Sequence, residues 1–419
     1  MPSRHPATAL RDQPSLEGRP FRIAYFVSHP IQYQAPLLRQ IAALPGVALK
    51  VFFFSDISVR SYIDKGFGVA VKWDVPLLDG YDSEFLPTIR NRGQLAFADP
   101  ICTGIYEKLE TGNFDAVWLH GYHTLNHLHV LWAAKRLNIP LLMRAEPTLI
   151  DRPRTRTKKF AKSYFFRLLR HAITAVMPIS ELNKEYWNTY LGTEIPQFPM
   201  PYAVDNQFFQ GKSLQAEATV DQLREELDLT PGRPVILYCS KLQTRKRCID
   251  LVNAYLLLCS DLKLPAKPYL LIVGDGEERG QVEARIQESK DLDIRMLGFR
   301  NQSELPRYFS LSDVFVLPSV SEPFGLIVNE VMNAARAVIV TEEVGCQKDL
   351  VRDRWNGMVV PAQNIAALAN ALQYVLEDPE RCKEMGRRSL ERIREFSFDQ
   401  DIEGLLAAIT HIQQTRKIA

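Results

Sequence analysis

The chain lacks the patterns that mark a secreted, membrane-spanning or disulfide-stabilised protein. Its six cysteines form no Cys-x-x-Cys pair, so neither a disulfide framework nor a zinc site is indicated. No apolar run reaches the length of about 18 residues that a membrane-spanning helix needs. Residues 1–20 contain no apolar core, so we expect a disordered tail there and no signal peptide. These absences predict a cytoplasmic protein with reduced thiols.

The chain also lacks an excess of charge of either sign. Its 51 Lys and Arg residues against 49 Asp and Glu residues give a net charge of +2, which predicts no nucleic-acid partner. Hydrophobic residues make up 46% of the chain, as in ordinary globular proteins. A length of 419 residues exceeds what one hydrophobic core usually organises, so we expect two domains.

Short β-branched or aromatic runs alternate with helical patterns along most of the chain, which predicts parallel sheets covered by helices on both faces. The first series of strands is expected at 21–27, 47–54, 115–119, 139–143 and 174–177. The pattern restarts after the polar stretch 210–218, with strands at 235–239, 269–273, 294–297, 314–317, 337–341 and 358–360. This is an α/β chain with two Rossmann-like domains, 21–210 and 211–395, facing each other across a cleft. Ligands of such sheets bind beyond the carboxyl ends of the strands.

One stretch, residues 319–330, combines two carboxylates with an expected helix N-terminus. It follows the predicted strand at 314–317, and a helix is expected to begin near Gly325 and to run to 335. Glu322 lies in the loop and Glu330 in the helix. A helix N-terminus binds phosphate, and carboxylates accept hydrogen bonds from sugar hydroxyls. The simplest ligand with both parts is a nucleotide sugar.

Glu322 and Glu330, on either side of Phe324-Gly325, resemble the Glu-x7-Glu motif of retaining glycosyltransferases of family 4. The resemblance implies a GT-B fold with a C-terminal helix, 396–419, that crosses back to the first domain. It also implies that Glu322 contacts the donor sugar and that Glu330 binds the ribose hydroxyls. The backbone that follows in that family contacts sugar and diphosphate, which assigns Phe324, Gly325 and Leu326 to donor binding.

A basic loop after the predicted strand at 235–239 resembles the family segment Gly-Arg-Leu followed by Lys-Gly. Lys241 matches the Arg and Lys246 matches the Lys, and in that family both bind the donor diphosphate. Two fixed cations stabilise a departing nucleoside diphosphate, which gains negative charge as it leaves. Ser240 and Arg247 stand where the family has glycines, so the backbone is expected to approach the phosphates less closely.

Further glycines complete the resemblance on the donor side. Gly274 matches the first glycine of a Gly-x-Gly at the end of a strand in the family. Gly298 and Phe299 resemble the strand end that lines the nucleobase pocket. All three are therefore assigned to donor binding.

The first domain is expected to hold the acceptor, and its resemblance to the family is thinner. The segment 28–36 occupies the position where many members carry a glycine-rich loop, and it offers His29 and Gln32 to an acceptor. His29 and Pro30 could equally serve only to shape a turn. Glu146 stands where the family often has an acceptor-binding His.

Residues 151–170 are strongly basic, with Phe160, Tyr164 and Phe165 interleaved at near-helical spacing. A basic amphipathic helix at 152–170 suits an anionic membrane surface, at the inner face of the membrane, or a lipid-phosphate acceptor. The alternative is a surface helix with a solvated basic face and its apolar stripe in the core.

No metal ion or other cofactor is expected. Asp291 and Asp293 precede a strand and so predict a polar turn, and His123 and His127 have no acidic residue to complete a ligand set.

The sequence thus predicts a retaining, metal-independent glycosyltransferase that moves a sugar from a nucleotide-sugar donor to a glycan, a glycolipid or another hydroxyl acceptor, in polysaccharide or glycoconjugate biosynthesis. A sugar-nucleotide epimerase, a phosphorylase and a non-catalytic partner subunit stay open as alternatives. We expect Glu322→Ala and Lys246→Ala to lower turnover by orders of magnitude and to leave the fold intact.

Overall fold

A computed structural model describes residues 19–59, 62–63, 70–71, 73–150, 155–260 and 264–418. Most of the expected tail, at 1–18, and the basic residues Arg152 and Arg154 lie outside the described residues. Within the described ranges, no helix has the length and apolar character that a bilayer crossing requires.

The first half of the chain builds one parallel sheet. In chain order its strands and helices are β1 Phe21–Val27, α1 Ala35–Ala42, β2 Val47–Phe53, β3 Tyr62–Ile63, β4 Ala70–Val71, β5 Asp82–Phe85, β6 Thr88–Arg90, β7 Ile101–Cys102, α2 Ile105–Thr111, β8 Ala116–His120, α3 Leu125–Arg136, β9 Leu141–Arg144, α4 Arg156–Leu169, β10 Ala175–Val176 and α5 Glu181–Leu191. The six-stranded sheet has the order β10-β9-β8-β1-β2-β5, and β3-β4 and β6-β7 form two small antiparallel pairs.

The second half builds another parallel sheet of six strands. Its elements are α6 Asn206–Glu217, α7 Val220–Glu226, β11 Val235–Cys239, α8 Cys248–Ser260, β12 Tyr269–Val273, α9 Arg279–Ser289, β13 Ile294–Gly298, α10 Leu305–Leu311, β14 Val314–Leu317, α11 Ile327–Met332, β15 Ala337–Thr341, α12 Gln347–Leu350, β16 Gly357–Val360, α13 Ile365–Leu376, α14 Pro379–Ile393 and α15 Phe398–Ile418. The sheet order is β13-β12-β11-β14-β15-β16.

Each sheet is covered by helices on both faces, because its strands carry apolar side chains on both sides. Strands β11, β12, β14 and β15 are buried at every position. Helices α8 and α13 pack on one face of the second sheet, and α10 and α11 pack on the other. This confirms the prediction of two parallel sheets covered on both faces.

The last helix leaves the second sheet and packs on the first. Ile402, Leu405 and Ile409 of α15 are buried in the same core as Ile23 and Tyr25 of β1. This helix therefore crosses back, as the family resemblance implied.

Several segments differ from the prediction. The polar stretch 210–218 lies mostly in helix α6, which begins where the Asp205 carboxylate accepts a hydrogen bond from the Phe208 N–H (2.9 Å). Polar composition concealed this helix, since it buries only Phe209, Ser213 and Ala216. Helix α11, Ile327–Met332, is also shorter than the expected 325–335: it begins after the left-handed Gly325 (φ 97°), and the chain beyond it turns at Ala335 (φ 55°). The edge strand β5 was missed because its sequence, Asp-Ser-Glu-Phe, lacks an apolar run.

Candidate active site

A cavity of about 480 Å³ opens between the carboxyl ends of the two sheets. From the first sheet it is lined by Gln32 and Tyr33, which follow β1, and by Glu146, which follows β9. From the second sheet it is lined by the loops that follow β11, β12, β13 and β14. This is the position at which doubly wound sheets bind ligands.

Most of the residues predicted to form the site line this one cavity. They are Gln32, Glu146, Lys241, Lys246, Gly274, Phe299, Glu322, Phe324, Gly325, Leu326 and Glu330. His29 and Gly298 do not line it. Gly298 lies directly behind the lining, where its carbonyl accepts a hydrogen bond from the Gly274 N–H (2.8 Å). The His29 ring bonds instead with the hydroxyl of Ser28 (2.8 Å), and burial lowers its pKa to about 4.

Lys246 and Glu322 meet in a buried ion pair at the base of the cavity. The Lys246 ammonium donates to Oε2 of Glu322, and the two residues are only 7% and 9% exposed. Arg245 reaches the same oxygen at 3.3 Å. Burial lowers the pKa of Lys246, and the contacting Glu322 carboxylate opposes this shift. An ammonium has three N–H donors, so Lys246 can hold Glu322 and a ligand oxygen together.

The loops that place this pair depend on unusual backbone conformations. Lys246 ends a short 3₁₀ turn, and Arg247 after it has φ 54°, a left-handed conformation that glycine adopts at less cost. The Arg247 side chain pairs with Asp250 (2.7 and 2.8 Å), away from the ion pair. At the position where the family has a glycine, this chain thus holds an arginine in a left-handed conformation.

Gly274 allows two loops of the second sheet to approach closely. A Cβ atom there would lie 1.9 Å from the Ser240 carbonyl oxygen, so no other residue fits without a shift of the backbone. The loop that carries Lys241 is therefore held against the end of β12. Gly325 has φ 97° and forms the turn between Glu322 and helix α11.

Glu330 is a carboxyl group without a donor in the cavity wall. Among the described residues no side chain donates a hydrogen bond to it, and burial alone raises its pKa to about 8. The group is ready to accept hydrogen bonds from hydroxyls of a ligand, which would favour its ionised form.

On the first sheet, Glu146 is surrounded by donors that the sequence did not reveal. Its Oε1 accepts hydrogen bonds from the hydroxyls of Tyr202 (2.5 Å) and Tyr33 (3.3 Å), and His120 Nε2 lies 3.8 Å away. Burial raises the pKa of Glu146, but these neighbours outweigh it and hold the pKa below its usual range. The carboxylate is 44% exposed, so a ligand in the cavity can reach it.

A chain of hydrogen bonds runs from Glu146 into the core. Burial lowers the pKa of His120, so the ring is neutral at pH 7. Its Nδ1 lies 3.1 Å from the amide nitrogen of Gln34, which can donate to it, and its Nε2 lies 3.3 Å from the Tyr202 hydroxyl. The tautomer that satisfies both contacts of His120 carries its proton on Nε2, and this N–H donates to the Tyr202 hydroxyl. Tyr202 in turn donates to Glu146.

Tyr202 also joins the two sheets. Its ring meets the ring of Phe324 edge to face, with centroids 5.3 Å apart, and its carbonyl accepts a hydrogen bond from Asn329 of α11 (3.0 Å). Beneath the ring lies the Arg144 guanidinium (5.1 Å), which pairs with Asp401 of α15 at 2.9 Å. These contacts join residues far apart in sequence, so no local pattern predicts them.

Candidate metal ligands from the sequence have other partners. Asp291 and Asp293 both bind Lys267 (2.8 and 2.9 Å), and Asp293 also binds Arg233. In the described ranges no three His, Cys, Asp or Glu side chains come together in an arrangement able to hold a metal ion.

Comparison with known proteins finds sequence similarity in the second half of the chain. Residues 219–392 match the family model of glycosyl transferases group 1. The chain is 29% identical over 192 residues to an alpha-D-kanosaminyltransferase of Streptomyces kanamyceticus, covering 45% of this chain and 47% of that protein. It is 31% identical over 191 residues to a D-inositol 3-phosphate glycosyltransferase of Nocardia farcinica, covering 44% and 42%. The match thus spans less than half the length of these two relatives.

Similarity of fold alone extends over most of the chain. The structure of Anabaena HepE in complex with UDP superposes with a TM-score of 0.69 at 15% identity, over 93% of this chain and all of that one. At this identity the likeness shows the fold alone, and it confirms the predicted GT-B arrangement. With this arrangement around the cavity, residues 219–392, which supply its second wall, are similar to the glycosyl transferases group 1 family.

Proposed function

We propose that this chain transfers a sugar from a nucleotide-sugar donor to a hydroxyl acceptor, with retention of anomeric configuration and without a metal ion. The observation that carries the proposal is the cavity wall of the second sheet. It brings two cationic side chains, Lys241 and Lys246, together with two carboxyl groups, Glu322 and Glu330. Cationic side chains bind phosphate oxygens, and carboxyl groups accept hydrogen bonds from sugar hydroxyls. The related proteins named above are glycosyltransferases, and HepE was crystallised with UDP.

In this proposal the donor lies against residues 211–395. Glu330 accepts hydrogen bonds from the ribose hydroxyls, and Glu322 orients the transferred sugar. Lys241 and Lys246 stabilise the diphosphate as it leaves with the bonding electrons. The nucleobase lies near Phe299, behind which Gly298 and Gly274 hold the strand ends together.

The acceptor lies against residues 21–210. Glu146 is an ionised carboxylate on this side of the cavity, and it accepts a hydrogen bond from an acceptor hydroxyl. The hydroxyl oxygen attacks the anomeric carbon on the face from which the diphosphate departs, and a phosphate oxygen takes its proton. No side chain then has to act as nucleophile. The acceptor is a glycan or a lipid-linked glycan.

A product assay in EDTA tests this function. The chain is incubated with UDP-, GDP- and ADP-linked sugars and a panel of sugar and lipid-linked acceptors, and nucleoside diphosphate release and product anomer are followed by NMR. We expect a glycoside with the donor's anomeric configuration from one nucleotide class, and loss of turnover in Glu322→Gln. A product formed without an acceptor would indicate an epimerase, and a need for inorganic phosphate would indicate a phosphorylase. Either result, or inversion of configuration, would contradict the proposal.

A further inference from the structure

Helix α4 presents an apolar stripe to solvent. Phe160, Tyr164 and Leu168 follow one another at four-residue spacing, so they share one face of the helix, and they are 76%, 58% and 59% exposed. The opposite face is the one that packs on the sheet, where Phe166 is fully buried. The stripe recognised in the sequence therefore faces solvent at Phe160 and Tyr164, and the buried contact is made by Phe166.

The exposed stripe is bordered by cations. Arg156 precedes Phe160 by four residues and Arg167 follows Tyr164 by three, so both lie beside the stripe, and both are exposed. Lys158 and Lys159 are exposed in the first turn. The whole helix, of sequence RTKKFAKSYFFRLL, contains no acidic residue.

Lys162 lies on the opposite face of α4 from the exposed stripe. Its ammonium turns inward and lies over the rings of Tyr186 (4.5 Å) and Tyr190 (5.3 Å) of α5. The cation on the inner face is thus engaged by aromatic rings of the fold, whereas Arg156 and Arg167 beside the stripe are exposed.

We propose that this face of α4, formed by Phe160, Tyr164, Leu168 and the flanking basic residues, binds the surface of an anionic lipid bilayer. An exposed apolar stripe enters the boundary between headgroups and acyl chains, and adjacent Lys and Arg residues pair with anionic headgroups. An acidic protein partner would satisfy the charges, but three large apolar side chains along one exposed face favour the lipid.

The position of α4 connects this surface to the cavity. A helix that joins two parallel strands begins at the carboxyl edge of their sheet, and α4 joins β9 to β10. Its first turn, with Lys158 and Lys159, therefore lies at the edge where Glu146 follows β9. Helix α3 begins at the same edge, where the Leu125 N–H donates to the carbonyl of the exposed Phe97 (2.8 Å). The acceptor side of the cavity then faces the bilayer, which suits a lipid-linked acceptor. This last step rests on the proposed function, whereas lipid binding does not.

Vesicle co-sedimentation of the full chain tests the surface without any substrate. The probes are vesicles of phosphatidylcholine alone and of phosphatidylcholine mixed with phosphatidylglycerol. We expect binding to the mixed vesicles only, weakened by added salt because salt screens charge. Phe160→Ser/Tyr164→Ser/Leu168→Ser and Arg156→Glu/Arg167→Glu should each lower the partition coefficient by at least about tenfold.

Two matched variants control for general loss of apolar surface or charge. Leu214→Ser/Leu292→Ser removes side chains that are 70% and 80% exposed on other elements, and Lys212→Glu/Lys290→Glu reverses two exposed lysines elsewhere. Both should partition as the unaltered chain does. Equal loss in the controls, binding to phosphatidylcholine alone, or no binding at all would overturn the proposal. So would a dimer that dissociates in the α4 variants, because the stripe would then be covered by a second copy.

Two further measurements on the same four variants test the fold and the proposed function separately. Circular dichroism and UDP, GDP or ADP binding should be unchanged in all four variants, because none of the altered residues lines the cavity. A chain that binds anionic vesicles and no nucleotide would refute the proposed function and leave the membrane surface standing.

Discussion

The Lys246 ammonium and the Glu322 carboxylate form an ion pair that is almost entirely buried. The resemblance assigned both residues to the donor, and the structure places them in direct contact at the base of the cavity. The sequence led us to expect that alanine at either position would leave the fold intact. The buried pair changes that expectation, because removing one partner leaves the other charge uncompensated.

We therefore predict that Lys246→Ala and Glu322→Ala each lower the free energy of unfolding by about 3–5 kcal/mol. The double variant Lys246→Met/Glu322→Met should lose less than the sum of the two, because no isolated charge is left. Arg245→Ala is the control, since Arg245 reaches Glu322 from a position 42% exposed and should cost about 1 kcal/mol or less. Urea unfolding at pH 7 measures all four. Additive losses in the double variant would show that the pair is not coupled.

Nucleotide binding should strengthen as pH rises towards 8. Burial raises the pKa of Glu330 to about 8, so most of the group is protonated at pH 7. Ribose hydroxyls that donate to it favour the ionised form, so binding must release a proton below pH 8. At one pH unit below the pKa this costs about tenfold in affinity, which should be recovered by pH 9.

Glu330→Gln is the matched variant for this pH dependence, because an amide cannot ionise. The diphosphate itself gains charge near pH 6, and this contribution is common to both proteins. Titration calorimetry between pH 7 and pH 9 should show the tenfold rise only with Glu330 present. The same slope in both proteins would mean that Glu330 does not meet the nucleotide.

Tyr202→Phe should weaken acceptor use without weakening donor binding. The variant keeps the ring that packs on Phe324 and removes the hydroxyl that donates to Glu146 at 2.5 Å. Loss of this donor raises the pKa of Glu146 and frees its carboxylate to move. We expect a several-fold higher acceptor KM with an unchanged Kd for the nucleoside diphosphate.

Tyr33→Phe provides the graded control for that experiment. The Tyr33 hydroxyl is more distant from Glu146, at 3.3 Å, so its removal should have a smaller effect in the same direction. If Tyr202→Phe instead weakened nucleotide binding and left the acceptor KM unchanged, Glu146 would belong to the donor side.

The ion pair between Arg144 and Asp401 should hold the last helix on the first sheet. Both side chains are almost fully buried, and Arg144 also donates to the Met200 carbonyl (2.9 Å). Asp401→Leu should lower the free energy of unfolding by about 3–5 kcal/mol, because it leaves the guanidinium without a carboxylate. The double variant Arg144→Met/Asp401→Leu should be more stable than Asp401→Leu. Urea unfolding decides this, and an equally unstable double variant would contradict it.

How much the sequence reveals differs between the two halves of the cavity. The side proposed to bind the donor was assigned from the family resemblance, and its residues lie in short loops after buried strands, as Lys246, Glu322 and Gly274 do. The carboxyl ends of neighbouring parallel strands meet at one edge, so local patterns place such loops together.

The acceptor side could be predicted only in part. Glu146 was proposed because it stands where the family often has an acceptor-binding His, but its partners Tyr33, Tyr202 and His120 come from three separate segments. Their meeting depends on the order of strands in the sheet, which periodicity does not determine. The sequence also could not predict that Phe160 on α4 is exposed, because an apolar stripe with helical spacing fits either the core or the surface.

Calorimetric titration with UDP, GDP and ADP in EDTA, on the unaltered chain and on Glu330→Ala, tests the central claim most directly. The account predicts that one of the three diphosphates binds with micromolar affinity. It also predicts that Glu330→Ala weakens this binding at least tenfold, a loss of about 1.4 kcal/mol. If none of the three binds to a chain that circular dichroism shows to be folded, the cavity is not a nucleotide-sugar site and the proposed transfer reaction is contradicted.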